Sequence, residues 1–239
     1  MGSTIKPSPF VGVGLYSYSE AARLLGRDYG WINRLLRTLE AETGHGPDLA
    51  SHDSPIKLIT FLELVECFFV DAFMDAGVKR SRMRVAARSL AEKYRSGHPF
   101  ALHGVSSDCL HIFADLEEAV GRYTRELSTD RAQLVDPRLL PIKKRIELVV
   151  EYDNAGLASR LWPMAAGRSR GRIVLDPHRH FGQPLDASTG VPTQALFAAW
   201  QAEGAVDFGS IAKWYRVPVD AVRAAVEFES ILDQQRQAA

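Results

Sequence analysis

Five side chains between residues 27 and 37 have the chemistry that reads nucleic acid: Arg27, Tyr29, Asn33, Arg34 and Arg37. Arginine and asparagine can bond base edges through two hydrogen bonds at once, and all five residues can reach phosphate oxygens. A second basic group follows, in which Lys79, Arg80, Arg82, Arg84, Arg88, Lys93 and Arg95 are opposed within the same stretch only by Glu92. Lys79, Arg80 and Arg82 open this run and are the expected phosphate contacts, each neutralised phosphate adding salt-dependent affinity. The same run also fits a solvated basic helix face with no partner.

Other chemistries find little to work with. Asp176, His178 and His180 form a D-x-H-x-H cluster. Two histidines two residues apart make a metal site only with a third ligand, and the neighbouring sequence supplies none. His45, His52, His98, His103 and His111 are scattered. The chain has no Gly-rich phosphate loop, no Gly-x-Ser-x-Gly elbow and no Cys–His pair at a family spacing. Cys67 in an apolar run and Cys109 in an expected strand have no neighbour at metal-ligand or disulfide spacing and read as buried thiols. The expectation is therefore a protein that is not an enzyme and uses no metal or cofactor.

The elements that must position the basic residues are helical. Ser17 and Glu20 have capping-box spacing, Ala21, Ala22, Leu24 and Leu25 give an apolar face, and Gly26 is placed to end the helix. A second helix follows from residue 29 to 39, so 17–37 has the form of a helix-turn-helix, or of a plain helical hairpin in an all-helical core. Residues 42–55, rich in Gly, His, Asp, Ser and Pro, read as a loop or small wing. An apolar helix is predicted at 61–76 and another helix at 81–95. Residues 102–105 and 110–113 are expected to form a short hairpin, and 116–126 a further helix. Beyond them, 146–152 is β-rich and 158–163 pairs back across an Asp-Asn-Ala-Gly turn. A strand at 172–175 precedes three helices, at 193–202, 208–215 and 218–231.

With 46% hydrophobic and 24% charged residues, the chain has the composition of a packed globular protein. Its 29 basic and 29 acidic groups balance, so partner chemistry must be sought in local clusters. Little periodicity and two prolines near residue 135 suggest two domains, 1–135 and 136–239, mainly α with short β-hairpins and each containing a helix-turn-helix. The chain shows no signal peptide and no membrane-length apolar run, which points to the cytoplasm.

Residues 61–94, FLELVECFFVDAFMDAGVKRSRMRVAARSLAEKY, resemble the helix pair that follows the wing in MerR-family regulators. Residues 171–228 are similar to a widespread prokaryotic helix-turn-helix family often encoded beside toxins. The matching elements are Arg172-Ile173, Asp176-Pro177, Gly182-Gln183-Pro184, Gly190-Val191-Pro192-Thr193, residues 211–215 and the helix opening at Pro218. Joined by RIELVVEYDNAGLASRLWP, the two parts resemble VapB-type antitoxins. That resemblance implies a cognate PIN-domain ribonuclease toxin, repression of the shared operon and a homodimer on a two-fold operator. By analogy Arg236, near the carboxyl end, would enter the toxin's carboxylate-lined site. A stand-alone MerR-like regulator and a protein-interaction scaffold without DNA binding are the alternatives. In the second helix-turn-helix, Asp220, Glu227 and Glu229 beside Arg223 would repel DNA, which favours dimerisation or protein docking there.

Overall fold

Two capping boxes set the amino-terminal half. The computed structural model describes residues 12–45, 57–112, 139–163 and 171–238, with side chains to residue 234. Ser17 Oγ accepts from the Glu20 amide at 3.1 Å while Glu20 accepts from the Ser17 amide at 2.7 Å, which starts α1 (Tyr18–Leu25). Gly26 ends it in the left-handed conformation, φ 64°. Asp28 then caps α2 (Tyr29–Thr43) by accepting from the Trp31 amide at 2.8 Å. Strand β1 (Leu15–Ser17) pairs antiparallel with β2 (Leu58–Thr60), setting Tyr16 opposite Ile59. The second box, Thr60 with Glu63, opens α3 (Phe61–Asp75).

Helix α3 is buried on most sides, as its apolar sequence predicts: Phe61, Leu64, Val65, Phe69 and Phe73 are all inaccessible or nearly so. Phe69 stacks on Phe73 and on Phe100, each at 5.0 Å between ring centres. Helix α4 (Arg80–Tyr94) adds Met83, Ala86, Ala87 and Leu90. One buried cluster runs from Tyr16 on β1 through these helices to Leu185.

The expected hairpin at 102–105 and 110–113 is not formed. Residues 105–112 are helical (α5), and Leu102 instead makes an isolated antiparallel bridge to Leu157. Gly104 turns the chain with φ 82°, after which Val105, Ser106, Cys109 and Leu110 are buried at helical spacing. Cys109 therefore lies on a helix, where burial pushes its thiol pKa up. The helix expected at 116–126 and the boundary at Val135 lie outside the described residues.

A second strand expectation is overturned in part. Residues 146–149 end a helix, α6 (Leu140–Val149), and only Val150–Tyr152 forms β3. Pro141 suits a first helical turn, and Ile146 and Val149, three apart, face the core together. The hairpin beyond does form: β3 pairs with β4 (Ala158–Leu161). Asp153 closes its turn by accepting from the amides of Ala155 and Leu157 at 2.8 and 2.9 Å.

Strand β5 (Ile173–Val174) pairs with β6 (Leu185–Asp186), and bridges Leu161–Leu175 and Leu185–Pro192 link this pair to its neighbours. Helices α7 (Thr193–Ala202), α8 (Phe208–Tyr215) and α9 (Val219–Ala238) follow. They share a cluster of Leu196, Ile211, Val217, Val222, Ala225 and Val226. Further along α9, Phe228 and Leu232 pack with Ile173 and with Leu24 of α1. The fold is mainly helical, with short antiparallel strand pairs. Among the described residues no helix is long and apolar enough to cross a membrane.

Candidate nucleic-acid interface

On α2 the inward positions are Ile32, Leu35, Leu36 and Leu39, so Arg34 and Arg37 stand on the opposite, exposed side. Arg34 lies 3.9 Å from Asp28, and both side chains are more than half exposed, a contact too weak to fix the guanidinium. Arg37 has no ion pair among the described residues. Asn33 accepts from Lys57 Nζ at 3.3 Å, and the same ammonium sits 5.7 Å above the Tyr18 ring. Tyr29 is half exposed and tilts against Tyr18. Tyr29, Asn33, Arg34 and Arg37 thus all lie off the buried stripe within the first nine residues of α2.

Arg27 is placed differently. Its guanidinium donates to Asp71 at 2.6 Å and to Asp75, both on α3, and lies over the Trp31 ring at 5.7 Å. This arginine fastens the turn between α1 and α2 to α3. Its charge is matched by two carboxylates and is not open to a phosphate.

The second basic group divides in the same way. Lys79 and Arg80 are exposed at the start of α4 without an ion pair among the described residues, and Arg82 is half-buried. Arg84 and Arg88 both clamp Glu42, which sits on the inner face of α2 one turn past Leu39. Lys93 donates to Asp108 at 2.8 Å. Glu42 and Asp108 therefore offset three of the charges that Glu92 alone opposes along the sequence.

Hydrogen bonds from Arg84 and Arg88 hold the Glu42 pKa below the usual carboxylate value of 4.5. A depressed folded-state pKa gives stability that is present above the unfolded value and lost as pH falls through the folded one. Thermal melts should therefore lose a part of their stability as pH falls below about 4.5. Glu42→Gln should remove part of that slope; an identical profile would refute the clamp.

The carboxyl-terminal helices repeat the geometry of the first pair. Both α1 and α8 have eight residues, are capped by a side chain (Ser17, Asp207), and end in a left-handed residue (Gly26, Arg216). Turn hydrogen bonds coincide: Arg27 N to Ala22 O matches Val217 N to Ala212 O, each 2.9 Å. Gly26 N to Arg23 O matches Arg216 N to Lys213 O, each 3.3 Å. Asn33, Arg34 and Arg37 then correspond to Arg223, Ala224 and Glu227. Arg223 lies over the Phe208 ring at 6.0 Å, and the exposed ridge of α9 carries Asp220 and Glu227. Glu229, expected on this outer ridge, is buried, since it corresponds to the inward Leu39.

Asp176 of the D-x-H-x-H cluster is buried and engaged by Arg160 Nε at 3.1 Å and by the His178 amide at 3.0 Å. Among the described residues no group of three or more His, Cys, Asp or Glu is arranged to hold a metal. Arg236 falls within the span of α9, beyond the described side chains.

No protein-family model and no curated protein matches the chain. Among solved structures, it is similar to the X-ray crystal structure of Rv2018 from Mycobacterium tuberculosis. The TM-score is 0.67 at 23% identity, covering 90% of this chain and 98% of that one. The likeness is one of fold.

Proposed function

We propose that this chain is an antitoxin-type repressor whose amino-terminal helix-turn-helix, α1 and α2, binds operator DNA. The observation that carries the reading is the exposed ridge of Arg34 and Arg37 beside Asn33 and Tyr29. It sits on the second helix of a capped helix, tight turn and helix, and its charges take little part in internal packing. Lys79 and Arg80 supply further phosphate contacts. The second helix-turn-helix, α8 and α9, presents Arg223, Ala224 and Glu227 at the positions of Asn33, Arg34 and Arg37, with Asp220 exposed one turn before Arg223, and serves a protein partner. The chain acts as a homodimer on a two-fold operator in the cytoplasm, with a MerR-like first domain and an antitoxin-type second domain. Its cognate partner is a PIN-domain ribonuclease, a reading supported by the sequence resemblance.

A gel-shift titration with the DNA upstream of the chain's own gene tests the DNA part. Truncating both Arg34 and Arg37 to Ala should weaken binding about tenfold or more, at roughly 1–3 kcal/mol per base-contacting arginine. Lys79→Ala and Arg80→Ala should each lower the salt slope by about one. Unchanged affinity in the double arginine variant sinks the repressor reading. Wild-type protein with no salt-dependent DNA affinity would point to an interaction scaffold. Co-expression with the neighbouring gene product tests the antitoxin part: relief of toxicity supports it, and full toxicity beside a folded chain overturns it.

A further inference from the structure

The two helix pairs share a backbone but differ in what covers their first helix. On α1 the outward face is occupied. Arg23 donates to Glu229 at 2.7 Å and to Asp233 at 3.0 Å, and Leu24 packs against the cluster containing Phe228 and Leu232. Four residues of one helix, α9, thus form an acidic and apolar stripe that seats on a cation and its apolar neighbour. The corresponding residues on α8 are Lys213 and Trp214. Both are exposed, Trp214 by 62%, and neither Lys213 nor Arg216 has an ion pair among the described residues.

We infer that the Lys213–Trp214 face of α8 is a docking site for an acidic amphipathic helix of a partner protein. That helix has the chemistry α9 shows to α1: large apolar residues four apart, each followed by a carboxylate. Charge selects the occupant. A second copy placed about a two-fold axis on this face would set Lys213 and Arg216 against their own copies, whereas carboxylates complement them. Trp214 supplies the large exposed aromatic surface on which helical interfaces concentrate their affinity. This rests on α8 and α9 being the protein-docking unit, and it assigns that role to a defined face.

The probe is a fluorescein-labelled peptide with the sequence of residues 219–238, titrated against the full chain by anisotropy. The chain's own α9 holds the α1 face at high effective concentration, which leaves α8 as the open site. Saturable, salt-sensitive binding is expected, weakened roughly tenfold by Trp214→Ala and by Lys213→Glu. A peptide carrying Lys at the positions of Glu229 and Asp233 should not bind wild-type protein, an arm that needs no variant of the chain to fold. Absence of peptide binding, or binding that ignores these changes, overturns the proposal. Gel shifts on the same variants separate the two readings. Operator binding should survive Trp214→Ala and Lys213→Glu, and its absence in the wild type would leave the peptide result standing.

Discussion

Replacing Arg23 by Ala should destabilise the chain by about 3 kcal/mol in a urea melt, the lower end of what breaking a buried ion pair costs. Glu229 is 2% exposed and has two side-chain donors, Arg23 at 2.7 Å and Thr193 Oγ1. Without the guanidinium a buried carboxylate keeps one hydroxyl partner and must either stay charged in an apolar setting or take up a proton. The effect stays at the low end because Arg23 is itself 29% exposed, so water can enter where its side chain was. Asp233, 42% exposed on its side chain, loses little. Adding Glu229→Gln to Arg23→Ala should recover much of the loss, since the amide is neutral and still accepts from Thr193. A single variant within about 0.5 kcal/mol of wild type would show that the bond does not fasten α1 to α9.

This contact marks the edge of what sequence reading reaches. Its partners lie 206 residues apart, and the sequence of the second helix pair places Glu229 with the outward acidic residues, with nothing nearby to announce Arg23. Local signals fared better because their physics is local. Ser17, Gly26 and Pro218 restrict their own backbone and that of near neighbours, and α1 begins and ends, and α9 begins, where these residues require. The residues of the candidate interface follow the same division. Arg34 and Arg37 are read correctly as outward because their phase relative to Leu35 and Leu39 is a property of α2 alone. Arg27, Arg84 and Arg88 are offset by carboxylates on other elements, and no signal in their own segments announces Asp71 or Glu42. The inward phase of Glu42, in step with Leu35 and Leu39, is a clue the sequence does hold. A carboxylate on a core-facing stripe demands a cation, and Arg84 and Arg88 are four apart on a neighbouring helix.

Strand expectations failed for a related reason. Short apolar runs fit either period, and at 105–112 and 146–149 burial on one side of a helix overrode the β-branched residues. Where a turn residue fixed the geometry, as Asp153 does, the hairpin formed.

The second large effect is expected at Gly182. Three consecutive residues, His180, Phe181 and Gly182, have positive φ, and Gly182 at φ 85° lies against β1. Tyr16 donates its hydroxyl to the Gly182 carbonyl at 2.7 Å within the core, and burial raises the phenol's pKa well above its ordinary value. A methyl group at Gly182 would lie 2.3 Å from that hydroxyl and 3.2 Å from the Gly14 backbone. Overpacking of this kind costs about 1–3 kcal/mol, and the left-handed conformation adds roughly 1 kcal/mol for any side chain. Gly182→Ala should therefore destabilise by about 3 kcal/mol. Tyr16→Phe alone should cost about 1 kcal/mol, for an orphaned carbonyl. Together the two changes should cost less than their sum, because the Phe removes the atom nearest the new methyl while the backbone strain remains. Strict additivity in the double-mutant cycle would mean that the phenol moves aside freely and that the Tyr16–Gly182 contact does not set the seating of β1 on the left-handed turn.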